Sequence, residues 1–298
     1  HAFPVAEEAA FNYDGYAKIS LRNANINYTF DVRDNGQLIG LDDRHRFFNY
    51  QNTLARQREG YHEQMLAAKA ESLEAAQEKP HNESLSTIHD AVLEVDDAVK
   101  QYLNLDWYNR NSFIDHFVEN FDFKAFQHCA FHELSNLTNT PADIFNLTNA
   151  SGEASVSFVK NGGIIENDAE YACALSKKYA LNANDELAFE IKLNAKLKKS
   201  YTYVMEFNFH FNDFKALKIN DAALEPEIEL EGGAFVISDG SAKPLKLVFD
   251  RTVRLYAAVI HTVSQSEKDV DLTAQGLAVF VPFEFNGDFA INGSVQIQ

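Results

Sequence analysis

Apolar and polar residues alternate with a period of two along much of the second half of the chain. Between Tyr201 and Phe211, every odd-numbered position is apolar. The same alternation recurs in residues 187–193, 245–249, 253–259, 277–285 and 291–297. Successive side chains of a strand point to opposite faces of its sheet, so each stretch predicts a strand with one face in a core. The other face then meets solvent or a ligand, as is usual in antiparallel sheets.

The first half of the chain contains one clear hairpin and one clear helix. Residues 26–32 alternate and lead into Asp34–Gly36, where an Asn-Gly pair tolerates the positive φ angles of a tight hairpin turn. Residues 60–79 place apolar side chains at about every 3.6 positions, which predicts a helix that ends before Pro80. No strand–helix–strand rhythm is present, so the fold is expected to be mainly β rather than a parallel barrel or a Rossmann domain.

The length of the chain allows one large β domain or two ordinary ones, and the composition is that of a folded protein. The chain has 298 residues, of which 46% are hydrophobic, and this argues against disorder. Residues 1–13 lack a firm period and are expected to be a linker remnant, with residues 14–298 forming a single β-sandwich domain. The chain starts at His1 without a Met, which leads us to expect either a processed protein or a fragment of a larger one.

The charge of the chain excludes several classes of partner. The formal net charge is −18 at pH 7, and an acidic surface repels the phosphates of nucleic acids and anionic lipid head groups. No apolar stretch approaches the roughly 18 residues of a membrane helix, and no signal peptide is visible. Cys129 and Cys173 lack the spacing of a metal site and are too few for a disulfide framework. We therefore expect no nucleic-acid or membrane partner, whereas a neutral ligand such as a sugar polymer remains compatible.

The densest polar cluster lies between Arg44 and His62. Its charged and titratable members are Arg44, His45, Arg46, Arg56, Arg58, Glu59 and His62. They are mixed with Phe, Tyr and Leu, a combination that suits a saccharide surface because aromatic rings stack on sugar faces and planar polar groups bind hydroxyls. The alternative is a buried network of ion pairs and hydrogen bonds that holds the helix to the sheet, and this structural interpretation is favoured.

A second cluster surrounds Trp107, the only Trp of the chain. Trp107 and Tyr108 are expected to be exposed and to be the ligand contacts of this segment, with Arg110 and His116 as further candidates. Asp115 and His116 resemble an acid–base pair, but neighbours on a strand point to opposite faces and do not form a dyad with each other. A structural role for most of the segment is again favoured.

The polar face of residues 201–211 is a third candidate. Glu206, Asn208 and His210 fall on one face and are suited to lining a groove. Three metal ligands at these positions would span about 13 Å at the rise of a strand, so we expect no metal. The chain also lacks a nucleophile-elbow motif, a His-Glu-x-x-His zinc motif and a phosphate-binding loop. No residue is therefore assigned as catalytic.

Four segments share residues, order and spacing with one known family. They are Asp34–Asp42 with Asn49, Asn52–Leu54 and Arg56–His62; Ser86–Asp90; Asp106–Phe117; and Glu206–Asn208 with Thr262–Glu267 and Gln275–Gly276. Together they resemble the C-terminal domain of glycoside hydrolase family 57 enzymes of the 4-α-glucanotransferase and α-amylase type. The resemblance covers about residues 14–285.

The resemblance implies a fold and a setting. It implies a large twisted antiparallel β-sandwich, similar to the galactose mutarotase supersandwich, beside a seven-stranded barrel that carries a Glu nucleophile and an Asp acid/base. This chain shows no barrel pattern, so neither catalytic residue is placed on it. The family also implies cytoplasmic α-glucan metabolism by a retaining mechanism, without an organic cofactor.

The leading hypothesis is a non-catalytic C-terminal module of an α-1,4-glucan-processing enzyme, which stabilises a separate N-terminal catalytic barrel and extends its glucan groove. The candidates for carbohydrate or interdomain contacts are Arg56, Arg58, Glu59, His62, Trp107, Tyr108, Arg110, His116, Glu206 and His210. One alternative is a free-standing carbohydrate-binding protein. Another is a mutarotase-like sugar epimerase, which needs an acid and a base, usually His and Glu, on opposite sides of the sugar ring.

Overall fold

The computed structural model of the chain describes residues 3–9, 12–58, 102–167, 169–265 and 270–298. Within these residues the regular structure is almost entirely β-strand. The helix predicted for residues 60–79 lies outside the described residues, and so do Glu59, His62 and the segment Ser86–Asp90.

The strands are numbered here in chain order. Those before residue 170 are β1 (Val5–Ala9), β2 (Lys18–Arg22), β3 (Ile26–Asp31), β4 (Gln37–Asp43), β5 (Phe48–Asn49), β6 (Ile114–Val118), β7 (Ile144–Ala150), β8 (Glu153–Glu166) and β9 (Ala169–Asn182). The later ones are β10 (Leu187–Ala195), β11 (Tyr201–Phe209), β12 (Lys218–Ile219), β13 (Ala222–Ala223), β14 (Glu227–Ser238), β15 (Leu245–Gln265), β16 (Val270–Phe285) and β17 (Phe289–Ile297).

The first sheet contains β1 to β5 in chain order, and its pairs are antiparallel. The predicted hairpin turn joins β3 to β4, with positive φ at Asn35 and Gly36. A Cβ atom on Gly36 would lie only 2.3 Å from the ring of Phe158, so glycine is needed there for space as well as for conformation. Strand β1 lies in the stretch that the sequence predicts to be a linker remnant, yet it pairs with β2 along its whole length. This part of residues 1–13 therefore belongs to the sheet.

The second sheet has a main path and a branch. The main path runs β13-β12-β14-β15-β17-β10-β9-β8-β7, and the branch passes from β15 through β16 and β11 to β6. Strand β15 is 21 residues long and serves both, because residues 245–249 pair with β17 and residues 256–265 pair with β16. An isolated bridge between Leu38 and Ser112 joins β4 to the start of the β6 segment. The first sheet and the branch therefore form one layer.

The main core lies between this layer and the main path of the second sheet. Phe30 of β3 stacks on Tyr179 of β9, with ring centroids 4.3 Å apart. Tyr203 of β11 packs against Phe289 of β17, at 5.8 Å. The alternating apolar residues of the sequence fill this space, and burying each large side chain contributes on the order of 2 kcal/mol relative to its exposure.

The outer face of β6 and β11 is covered as well. All five residues of β6 are buried, and in β11 only Thr202 is not. A short helix, α1 (Phe123–Gln127), places Phe126 in an apolar cluster with Val204 and Phe280 on this side. Because most buried polar groups have hydrogen-bond partners, the polar side chains of this outer face are expected to pair largely with one another.

The sequence prediction of a mainly β fold built from antiparallel sheets is confirmed. Within the part of the chain that the structure describes, no helix has the length and apolar character needed to cross a bilayer.

Candidate functional site

The outer face of β6 and β11 carries a buried network of polar side chains. His116 of β6 and Glu206 of β11 face this side, with His116 Nε2 lying 2.9 Å from Glu206 Oε2. Asp115 faces the opposite way and forms an ion pair with Lys177 in the main core. The prediction that Asp115 and His116 lie on opposite faces is thus confirmed. The members of this outer network are Arg56, Asp106, Tyr108, Arg110, His116, Glu133, Glu206 and Asn208.

Glu206 is fully buried, and both of its carboxylate oxygens accept hydrogen bonds. Tyr108 Oη donates to Oε2 at 2.7 Å. Arg110 Nη1 donates to Oε1 at 2.7 Å, and Asn208 Nδ2 donates to the same oxygen at 2.8 Å. Together with His116, these donors satisfy a carboxylate that would be very unfavourable in the interior if it were unpaired.

Asp106 joins two arginines of the network. Arg56 Nη2 and Arg110 Nη2 both donate to its Oδ1, at 2.6 and 2.5 Å. The backbone strengthens the junction, because Arg56 N donates to Asp106 Oδ2 at 2.8 Å and Asp106 N donates to the carbonyl oxygen of Arg56 at 2.9 Å. Arg56 also donates to the carbonyl oxygen of Gln127, at 3.2 Å. Asp106 and Arg56 together therefore connect residues 53–58, residues 102–111 and helix α1.

His116 lies between two carboxylates. Its Nε2 contacts Glu206, and its Nδ1 lies 3.1 Å from Glu133 Oε2. Burial alone would lower the pKa of His116, but the carboxylates of Glu133 and Glu206 outweigh it and raise the pKa to about 9. His116 is therefore a cation at neutral pH and donates from both ring nitrogens.

The two buried acids of the network have lowered pKa values. For Asp106, burial would raise the pKa, but Arg110 and Arg56 outweigh it and lower the pKa to about 2. For Glu206, burial acts in the same upward direction, and Arg110 and His116 bring the pKa below its ordinary value. A general acid needs a raised pKa and an accessible proton, so neither carboxylate is suited to that role.

The network is electrically balanced, which limits its chemistry. Its cations are Arg56, Arg110 and His116, and its carboxylates are Asp106, Glu133 and Glu206. Each charged group forms an ion pair with a group of opposite sign, so the network is suited to fastening residues 53–58 and 102–111 to the sheet. Among the described residues, no cluster of three or more His, Cys, Asp or Glu is arranged to hold a metal ion.

The structure brings together five of the residues that the sequence singles out. They are Arg56, Tyr108, Arg110, His116 and Glu206. Trp107 lies at the edge of the network with 49% of its surface exposed, and its ring contacts those of Tyr108 and Phe131. The expectation that Tyr108 is exposed is wrong: it is 6% exposed because its hydroxyl reaches inward to Glu206.

The other candidates lie elsewhere. His210 follows the end of β11, and its ring packs against Phe48 and Phe214. Arg58 is exposed. Arg44, His45 and Arg46 form an exposed turn between β4 and β5, so the polar run from Arg44 to His62 does not act as one buried network. Glu59 and His62 lie outside the described residues.

Two members of the network, Asp106 and Glu133, are absent from the sequence-based candidates. Asp106 and Arg110 are four residues apart, and that spacing of opposite charges was a usable signal for Asp106. Asn208, which the period of two places on the same strand face as Glu206, does contact Glu206. Glu133 lies alone in a loop and nothing in its neighbourhood predicts a contact with His116.

A cavity of about 520 Å³ lies beside the outer network. Residues 53–57 and 102–111 form one side, and the ends of β15 and β16 form the other. Arg56 and Arg110 belong to both the network and the cavity wall. Among the described residues that line the cavity there is no Asp or Glu, and apart from the two arginines its polar side chains are those of Thr, Asn, Gln and Tyr. We call this space the amide cavity.

Comparison with known proteins gives one family and one fold. A family model described as "Alpha-amylase/4-alpha-glucanotransferase, C-terminal" matches residues 10–297. A 4-alpha-glucanotransferase of Thermococcus litoralis is 26% identical over 287 residues, which are 94% of this chain and 40% of the relative. The chain therefore spans well under half of that relative's length.

Solved structures agree on the fold. The crystal structure of 4-alpha-glucanotransferase from Thermococcus litoralis superposes with a TM-score of 0.77 and 18% identity, covering 99% of this chain and 40% of that one. A galactose mutarotase-like protein from Clostridium acetobutylicum gives a TM-score of 0.53 and 9% identity, with 100% and 99% coverage. The predicted mutarotase-like sandwich is confirmed as a fold. Since the family model matches nearly the whole sequence, the chain belongs to the family of alpha-amylase/4-alpha-glucanotransferase C-terminal domains.

Proposed function

We propose that this chain is the non-catalytic C-terminal module of an α-1,4-glucan-processing enzyme of the 4-α-glucanotransferase or α-amylase kind. In this role it stabilises the enzyme's N-terminal catalytic barrel and extends its glucan-binding groove. The parent enzyme would act in the cytoplasm by the retaining mechanism of glycoside hydrolase family 57. Its partners are then the barrel and an α-glucan such as a maltooligosaccharide, starch or glycogen.

The main support for the proposal is that the buried carboxylates of the outer network are all paired with cations of the same network. Glycoside hydrolysis needs two carboxylates that flank a glycosidic bond, one of them with a raised pKa. Here Glu206 and Asp106 have lowered pKa values and are fully occupied by Arg110, His116 and Arg56. The share of the relatives that the chain spans supports the same view, because about 60% of their length is left for another domain.

The geometry also argues against a mutarotase-like epimerase. That reaction requires an acid and a base on opposite sides of a sugar ring. The His and Glu that face each other on β6 and β11 are 2.9 Å apart, as His116 Nε2 and Glu206 Oε2, so no ring fits between them. A free-standing sugar-binding protein has no specific observation in its favour.

The first test is the gene upstream of the codon for His1. It should encode a barrel domain with a Glu and an Asp placed as a retaining pair, in frame with this chain. The second test is an assay of the purified chain with maltoheptaose, with products resolved by chromatography. We expect no hydrolysis or transfer, whereas the complete enzyme serves as the positive control. Turnover by the chain alone at the rate of the complete enzyme would overturn the proposal.

A further inference from the structure

The amide cavity has the chemical character of a site for a neutral, hydroxyl-rich ligand. Its neutral polar wall includes Thr53, Gln57, Asn109, Asn111, Thr273 and Gln275. Amides and hydroxyls each supply both donors and acceptors, which is what a ligand with many hydroxyl groups needs. The volume of about 520 Å³ lies within the range of small-molecule sites, roughly 300–1,000 Å³.

The charge of the wall contrasts with that of the chain. The chain contains 44 Asp and Glu residues, yet none is among the described residues of this wall. The two arginines do not make the cavity an anion site, because Arg56 is paired with Asp106, and Arg110 with Asp106 and Glu206. The overall charge of −18 further disfavours an anionic ligand. The described part of the cavity wall therefore presents neutral dipoles and paired arginines rather than unpaired charge.

Several polar side chains of the wall are held in position by hydrogen bonds within the protein. Gln275 Nε2 donates to Thr262 Oγ1 at 3.1 Å across the paired strands β15 and β16. Asn111 Nδ2 donates to Gln37 Oε1 at 2.9 Å, and Thr53 Oγ1 donates to the carbonyl oxygen of Arg110. Preorganised side chains lose less conformational entropy on binding than mobile ones.

The wall also carries apolar surface that solvent can reach. Leu54 is 58% exposed and Leu105 is 37% exposed, and both line the cavity beside Tyr102. The C–H faces of a pyranose ring pack on aliphatic and aromatic surfaces of this kind, while its hydroxyls meet the amides.

We propose that the amide cavity is a non-catalytic binding site for α-1,4-linked glucan chains. The choice of α-glucan among neutral saccharides rests on the proposed function, whereas the choice of a neutral saccharide rests on the cavity itself. Residues Asn109, Thr273 and Gln275 bind hydroxyl groups, and Leu54 and Leu105 contact sugar faces. The site lies against the outer network, so binding there also fixes the position of residues 53–58 relative to the sheet.

Calorimetry on the purified chain tests the site. Maltoheptaose should bind, and cellopentaose, with its β-1,4 linkages, should bind at least about tenfold more weakly. The variant Gln275→Leu should weaken maltoheptaose binding about tenfold, which corresponds to the loss of one good hydrogen bond. Asn109→Ala is a second variant at an exposed position, where the fold tolerates the change.

Gln296→Leu is the matched control. Gln296 is also a strand glutamine whose side-chain amide donates one hydrogen bond, to the carbonyl oxygen of Asn184 at 3.5 Å, and it does not line the cavity. Its affinity for maltoheptaose should equal that of the unchanged chain. Circular dichroism of all three variants verifies that they are folded.

The outcomes separate the site from the proposed function. Unchanged binding in both Gln275→Leu and Asn109→Ala overturns the site, and so does competition by inorganic phosphate at equal concentration. Failure of the chain to bind maltoheptaose at millimolar concentration also overturns the site, but leaves the proposed module intact if the upstream gene encodes the barrel. Hydrolysis of maltoheptaose by the chain instead overturns the proposed function.

Discussion

Two buried charge clusters lie on opposite faces of the same strand, β6. Asp115 points into the main core and forms an ion pair with Lys177. Its neighbour His116 points outward and joins the outer network through Glu206 and Glu133. Asp115 and His116 are adjacent in sequence, but the sheet separates their side chains. The two clusters compensate their buried charges with different arrangements of partners.

The inner pair is closed, whereas the outer network is extended. Around the inner pair, Tyr203 Oη donates to Asp115 Oδ1 at 2.8 Å, and Lys177 Nζ donates to the carbonyl oxygen of Phe113 at 2.8 Å. The outer network instead links residues that come from β6, β11, two covering segments and a loop. The inner pair therefore fixes contacts between the two layers, while the outer network fastens the covering segments to the sheet. This difference predicts how each responds to mutation and to pH.

Glu206→Gln should produce the largest effect. The substitution keeps the shape but removes the charge, which leaves Arg110 and His116 buried without one of their counterions. We expect the free energy of unfolding to fall by about 3–5 kcal/mol, as measured by urea denaturation at pH 7. The control Glu190→Gln alters a partly exposed carboxylate that pairs with Lys192 on the surface, and should change stability by less than about 1 kcal/mol. Equal effects of the two substitutions would show that the network is not a buried electrostatic unit.

The inner pair should tolerate replacement by apolar residues far better than the network does. Lys177→Met alone leaves Asp115 uncompensated, and we expect a loss of about 3 kcal/mol. The triple variant Lys177→Met, Asp115→Leu and Tyr203→Phe removes every polar side chain of the pair and should recover most of that loss. A residual cost of about 1–2 kcal/mol is expected from the carbonyl group of Phe113, which loses its donor. The same urea measurement checks both variants, and a triple variant less stable than the single one contradicts the description of a closed pair.

The two clusters should respond to alkaline pH with opposite signs. The folded-state pKa of His116 is raised from 6.5 to about 9, so its stabilising contribution is complete below pH 6.5 and is lost as pH rises toward 9. Burial lowers the pKa of Lys177 below 10.5 against the opposing effect of Asp115, so the penalty for its buried charge is relieved as pH rises through its folded-state pKa. The loss of the His116 contribution should give a slope of on the order of 1 kcal/mol per pH unit between pH 6.5 and 9.

The variant His116→Gln isolates that slope. It should be less stable at pH 6 but should show a flatter dependence of the free energy of unfolding on pH between 6.5 and 9. Urea denaturation across this range checks the prediction. A pH profile parallel to that of the unchanged chain would mean that His116 does not carry the titration.

The sequence correctly predicts which face of a strand a side chain occupies and where a tight turn lies, because local backbone geometry determines both. The period of two correctly places Asp115 and His116 on opposite faces of β6, and Asn35–Gly36 correctly marks the hairpin turn, because both depend on the residues concerned and their immediate neighbours. The mainly β fold follows from the same alternation. The prediction of a linker remnant does not hold for Val5–Ala9, which forms β1. This strand is stabilised by pairing with β2 and has no clear apolar pattern of its own.

The sequence does not show which segments of the chain pack over the polar face of a strand. The sequence places Glu206 and Asn208 on the wall of an open groove, yet both are fully buried, since Gln51 and residues 108–111 contact them from outside the strand. Tyr108 reads as exposed for the same reason. Such contacts join residues about a hundred positions apart in sequence, and neither periodicity nor composition encodes which segments meet.

Of these substitutions, Trp107→Ala should change the stability of the chain alone the least. Comparing its effect in the chain with its effect in the complete enzyme tests whether this edge of the outer network contacts the barrel. Trp107 is half-exposed and touches the network only through its ring contacts with Tyr108, His116 and Phe131. Removing it should therefore lower the free energy of unfolding by about 1 kcal/mol, and Trp107→Phe should restore most of the loss. If the catalytic barrel packs on this edge of the sandwich, Trp107→Ala should lower the melting temperature of the complete enzyme more than that of the chain alone. Equal shifts in the two would place the interdomain contact on another surface of the sandwich.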